Sequence, residues 1–154
     1  MPDKDAVEMD ELCISKKQNV WLWTAVSRYT GQILAYVIGD RTGKHVEKLF
    51  ALIPERYKRR RVYTDGYEAY ADFFCPSKHP LHRVCPKGSG GTNTVEGVNT
   101  SLRHRCSFLV RRHCGPRDQA DSIEGRLCFV VRAHNADCQK RWQRRPTKAT
   151  QPAT

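Results

Sequence analysis

Three apolar runs near the start of the chain, joined by short turn-forming stretches, constrain the fold more than any other feature. Val7 to Ile14 mixes apolar and acidic residues. Val20 to Val26 (VWLWTAV) is rich in the β-branched and aromatic residues that suit a buried strand, and Gln32 to Ile38 (QILAYVI) follows a Tyr-Thr-Gly turn at 29–31. Short connections join strands antiparallel, so these runs predict a three-stranded meander. From Lys44 to Leu52 the pattern becomes helical, with Val46, Leu49, Phe50 and Ile53 apolar and Pro54 as its limit.

Downstream, strand and helix alternate. A basic run, Arg56-Tyr57-Lys58-Arg59-Arg60-Arg61, precedes a short strand, Val62-Tyr63-Thr64, that ends at Asp65-Gly66. A helix is expected over about 67–74, a fifth strand over 81–84, and a glycine-rich loop at 86–91. A long helix follows from about Thr94 to Arg111, with Val95, Val98, Leu102, Cys106 and Leu109 as its apolar stripe, then another over roughly 119–135. The tail from Asp137 onward, basic and then Pro/Thr-rich, is expected to be disordered, leaving residues 1–136 as the folded domain. The order β-β-β-α-β-α-β-α-α predicts an α/β domain with a mixed five-stranded sheet flanked by helices. That order is the one of the RNase H-like fold.

At 154 residues there is material for one core. The excess of 27 Lys and Arg over 16 Asp and Glu, a formal charge of +11, favours a polyanionic partner such as nucleic acid or an acidic membrane surface, and charge alone does not choose between them. With no apolar run near the roughly 18 residues that span a bilayer and no stretch of signal-peptide type, a cytoplasmic protein is expected. Seven scattered cysteines without a C-x-x-C pair speak against a secreted disulfide framework. Cys75, His79, His82 and Cys85 form one zinc-compatible cluster, although zinc sites usually separate two ligand pairs by a longer loop.

Phosphoryl transfer on DNA without a covalent enzyme intermediate calls for two divalent ions, and hard ions such as Mg²⁺ or Mn²⁺ demand carboxylates converging from separate elements. Asp10 lies in the first strand, Asp65 ends the fourth, and Glu96 opens the long helix. Asp10 and Glu11 must point to opposite faces of the sheet, so only one of them can join such a set. Each acid also has a structural explanation: Asp65 before Gly66 suits a turn, and Asn93-x-x-Glu96 resembles a capping box. Glu96, Asn99 and Arg103 fall on one helix stripe, and Gly97 beside them weakens a helix by about 1 kcal/mol, which suggests a close approach to the backbone there. Arg103, Arg105, Arg111 and Arg112 make the helix basic, as a phosphate-binding surface needs to be.

Glu8-Met9-Asp10-Glu11, Ile38-Gly39-Asp40-Arg41-Thr42, Tyr63-Thr64-Asp65-Gly66, Val95-Glu96-Gly97-Val98-Asn99, Leu102-Arg103 and Leu109-Val110-Arg111-Arg112 occur in this order. Together they resemble the DDE transposases of the smallest bacterial insertion sequences, over about residues 5–135. The resemblance implies an RNase H-like catalytic core, two Mg²⁺ (or Mn²⁺) ions, and DNA strand cleavage and strand transfer at the element's ends. It implies Asp10, Asp65 and Glu96 as catalytic metal ligands, and it aligns Asn99 and Arg103 with the polar positions after that glutamate. It further implies an upstream zinc-binding and helix-turn-helix segment encoded in an overlapping frame, for which no counterpart is found here. Homo-oligomerisation is compatible with the same reading. The competing readings are another RNase H-like nuclease such as a junction resolvase, a catalytically silent DNA-binding transposase fragment, and a zinc-stabilised nucleic-acid module.

Overall fold

The computed structural model describes residues 5–86, 88–106, 109 and 120–144. The elements are β1 (Val7–Ser15), β2 (Val20–Ser27), β3 (Ile33–Gly39), α1 (Gly43–Leu52), α2 (Glu55–Lys58), β4 (Val62–Thr64), α3 (Glu68–Phe73), β5 (His82–Val84), α4 (Asn93–Arg105) and α5 (Ala120–Gln143). They build one five-stranded sheet in the order β3-β2-β1-β4-β5. β2 runs antiparallel to β1 and β3, whereas β4 and β5 run parallel to β1. This is the mixed α/β, RNase H-like arrangement expected from the sequence.

Strand alternation divides the core between the two faces. Met9, Trp23 and Ala25 face α1 and α3, where Val46, Leu49, Ile53, Tyr70 and Phe74 complete one cluster. Leu12, Ile14, Leu22 and Val26 face the other way, against Val95, Val98 and Leu102 of α4 and Ile123, Leu127 and Val131 of α5. β1 is hydrogen-bonded on both sides, and its acids are therefore held among buried neighbours.

The helix boundaries depart from expectation at three places. The basic run begins with the one-turn helix α2, anchored by the buried Tyr57. α4 stops at Arg105, with Cys106 extended (φ −124°, ψ 96°) and Leu109 still buried beyond it. Arg103 and Arg105 stand in the last turn of α4, where their charge complements the negative end of the helix dipole. Third, α5 continues to Gln143, so residues 137–143 belong to the folded unit and the expected boundary at 136 falls inside a helix. Its inward stripe runs Ile123, Leu127, Val131, His134, Cys138, in which His134 is a buried polar side chain. Trp142 then packs edge-on against Tyr29, 4.7 Å between ring centroids. The remainder of the expected disordered tail, 145–154, lies outside the described residues, as do Arg111 and Arg112.

Asn135 on α5 satisfies the edge strand. Its amide accepts a hydrogen bond from the Ile33 N–H (2.8 Å) and donates one to the Ile33 carbonyl (2.9 Å), imitating a strand partner. Asn135→Ala is expected to strand both backbone groups and to lower stability by about 1–3 kcal/mol in a urea titration. A change within the error of that titration would mean water replaces the amide without loss.

Candidate functional site

The register Val7↔Val62, Glu8↔Tyr63 between β1 and β4, extended by two residues, sets Asp65 opposite Asp10. Both therefore stand at neighbouring strand positions on the face that carries α4. Asp10 Oδ2 accepts a hydrogen bond from Asn99 Nδ2 at 2.8 Å, and Asn99 Oδ1 accepts one from Thr24 Oγ1 on β2 at 3.0 Å. Glu8, two residues earlier on the same face, is 1% exposed; it accepts the Val95 N–H at 2.9 Å and pairs with Arg28. Since Val95 sits at Glu8 and Asn99 at Asp10, α4 runs alongside β1 in the same direction.

Glu96 is exposed on α4. Thr94 on the same helix bonds the Arg28 carbonyl at the end of β2 (3.4 Å). At 3.6 residues per turn Glu96 leaves the helix roughly 200° away from Thr94, on the flank toward β4. Its carboxylate accepts from Thr92 Oγ1 at 2.8 Å, and the N-cap side chain makes no bond to the helix backbone, so the capping-box geometry is not formed. Arg103 shares this flank and is exposed. Arg105 does not: it turns to α5 and pairs with Asp137 at 3.2 Å. Gly97 has nothing within 4 Å of a built Cβ, so no part of the described chain makes the close approach its presence suggested.

Glu11 points to the opposite face, as alternation requires. It accepts from Arg41 Nη2 (2.6 Å) and from the Tyr70 hydroxyl (3.1 Å). The Arg41 guanidinium lies over both Trp21 and Tyr67, 4.5 and 4.2 Å from their centroids. Sequence reading passed over this clamp, and over Glu8 as an anchor for α4. The acidic run Glu8-Met9-Asp10-Glu11 contained the signal, but its partners come from distant segments.

Burial pushes the Asp10 carboxyl up to about 7, with the charge of Glu11 as the next cause and that of Asp65 as a lesser one, against the hydrogen bond from Asn99. Glu11 is also raised, burial outweighing Arg41. Among the described residues no cation bridges Asp10. This is a cluster of hard oxygen donors with uncompensated negative charge, a chemistry that fits a divalent cation. Even so, among the described residues no three His, Cys, Asp or Glu side chains stand close enough together to hold a metal ion. The proposed zinc quartet is likewise not gathered. Cys75 contacts Ser77, His79 stacks on Phe73, His82 stacks on Phe74 and bonds Thr64, and Cys85 is buried. The two histidines serve the aromatic core, which sequence spacing alone did not reveal.

An IS1 transposase family model matches residues 6–120. The insertion element iso-IS1n protein InsB of Shigella dysenteriae is 30% identical over 98 residues, which cover 64% of this chain and 70% of that protein. The catalytic core domain of BIV integrase superposes with a TM-score of 0.47 at 15% identity, covering 68% of this chain and 77% of that one. The family match makes this chain an enzyme of the polynucleotidyl transferase kind, acting on DNA. It belongs to the IS1 transposase family and is a DNA transposase. Among the described residues no helix is long and apolar enough to cross a membrane.

The raised Asp10 pKa carries a stability signature. Between the ordinary carboxylate value of 3.8 and about 7, the folded chain holds a proton that the unfolded chain has released, so stability falls as pH rises through that window. In EDTA, Asp10→Asn should therefore raise the melting temperature above about pH 7, by roughly 2–4 °C for each kcal/mol of repulsion relieved, and change it little near pH 4. Calorimetry at both ends of the window checks this; an equal gain at both ends would remove ionisation as the cause.

Proposed function

We propose that this transposase is of the DDE type, cleaving and joining DNA strands at the ends of an insertion sequence, with Asp10, Asp65 and Glu96 holding Mg²⁺ or Mn²⁺. The observation that carries the reading is the Asn99–Asp10 hydrogen bond, which fastens the helix bearing Glu96 to the strand bearing Asp10, beside the strand that ends in Asp65. Bound divalent ions would supply charge to activate the attacking oxygen and to stabilise the departing one.

The chain's own groups perform the positioning. Asn99 holds the Asp10 carboxylate in one rotamer and lowers its proton affinity, while Thr24 fixes the amide so that its N–H₂ faces Asp10. Arg41 neutralises Glu11 on the far face and so limits the negative charge pressing on Asp10 and Asp65. Among the described residues Glu96 is tied to the hydroxyl of Thr92, and rotation about its side-chain bonds releases it toward the β4 flank. Arg103, on that same flank, is suited to a DNA phosphate. Arg111 and Arg112 would extend the basic surface. Arg105, paired with Asp137, would have to give up that ion pair to do likewise. Further parts of the proposal are an upstream DNA-binding segment from an overlapping frame, and pairing of two copies on the element's two ends. One observation favours the silent-fragment alternative: Glu96 rests against Thr92 and not with the aspartates.

Glu96→Gln separates the two. The amide keeps the shape and can still accept from Thr92, but it loses the charge that holds an ion. Cleavage of labelled element-end DNA in Mg²⁺ is expected to fall at least about a hundredfold, toward the uncatalysed rate, with an unchanged thermal melt. An active, normally folded variant would sink the assignment.

A further inference from the structure

The geometry points to a second DNA-binding site, a cleft at the opposite end of β1 that grips the phosphate backbone of duplex DNA through Arg28, Arg59, Arg60 and Arg61. It rests on the reading that this chain works on DNA, and it is independent of the carboxylate chemistry. The cleft has a volume of about 750 Å³ and is lined by these four arginines with Asp5 and Tyr63 among its other walls. It lies beside Ala6, four residues before Asp10 along β1, hence about 13 Å from the carboxylates.

The arginines are presented by a fixed scaffold. Tyr57 is buried and donates its hydroxyl to Asp5 Oδ2 (3.1 Å), pinning the α2 turn to the sheet end. The Arg60 N–H bonds the Tyr57 carbonyl, and the Arg61 carbonyl accepts the Val7 N–H, both at 2.9 Å. Arg28 is oriented by Glu8 at 3.2 Å and by the Tyr63 ring, 4.3 Å from guanidinium to centroid. Little conformational entropy remains to be lost from the backbone when a ligand arrives.

The acids beside the cleft offset only part of this charge: Glu8 is paired with Arg28, and Arg59, Arg60 and Arg61 outnumber Asp5. Asp5 is 6% exposed, and its oxygens already accept from the Ala6 and Tyr29 N–H groups and from the Ser27 and Tyr57 hydroxyls. Glu8 is buried beneath Arg28. The exposed charge of the wall is therefore cationic, with the Arg59 and Arg61 side chains open to solvent. Several guanidinium groups spread along one wall suit a row of phosphates better than a single small anion, and arginine forks match phosphate oxygens in pairs. The basic run before β4 thus becomes part of the substrate surface.

Counterion release supplies the test. Binding of a labelled random-sequence duplex to the full chain is followed across a salt series in EDTA, where no cleavage can occur. Arg59→Gln/Arg61→Gln should make the log–log slope shallower by about two units. Lys16→Gln/Lys17→Gln, the same loss of charge in the exposed turn before β2, should keep the parent slope. Arg59→Lys/Arg61→Lys should restore most of the slope, which excludes a folding defect as the cause. An unchanged slope in the arginine pair, or an equal loss in both glutamine pairs, would overturn the site. Neither result depends on whether Glu96 is a metal ligand.

Discussion

The side chain of Asn99 is the joint on which the arrangement depends. It donates to Asp10 on β1 and accepts from Thr24 on β2, in a buried position where an unpaired amide would be costly. Glu8 repeats the arrangement one turn earlier by accepting the Val95 N–H. These polar contacts fix how far along β1 the helix can slide. The apolar contacts of Val98 and Leu102 supply most of the attraction but little of that register, because dispersion and burial are tolerant of small shifts.

Polar specification of this kind places an acidic group in poor solvent. Asp10 is pushed toward neutrality by its own burial and by the charge of Glu11 and Asp65. The Arg41 clamp, stacked over Trp21 and Tyr67, offsets part of that charge from the far side of the sheet. On the proposed reading, a divalent cation would relieve the charge on Asp10 and Asp65 together. At the other end of the same strand the charge reverses, with arginines gathered around Ala6 and the acids there buried.

Much of the fold was legible. All five strands fell within a residue or two of their expected bounds, because alternation and β-branched runs report burial locally. The neighbouring placement of Asp10 and Asp65 comes from the pairing of β1 with β4. What was misjudged lies where apolar periodicity was incomplete. α5 continued past the expected end because His134 and Cys138 hold inward positions, His134 by bonding the Gly31 carbonyl at 2.8 Å, and no sequence pattern marks a histidine as core. α4 ended early although Cys106 and Leu109 kept the stripe buried, since the same spacing can be met by a bent chain.

By itself the sequence determined the sheet, the opposite orientations of Asp10 and Glu11, and the family resemblance. Each of these depends on local periodicity or on a short run of residues. Tertiary structure alone decided the partners: Asn99 with Asp10, Arg41 with Glu11, Arg105 with Asp137, and the basic run with Arg28 around one cleft. Hydrogen bonds and ion pairs act over a few ångströms between residues that here lie as far as 103 positions apart in the chain, and only folding brings such groups within that range.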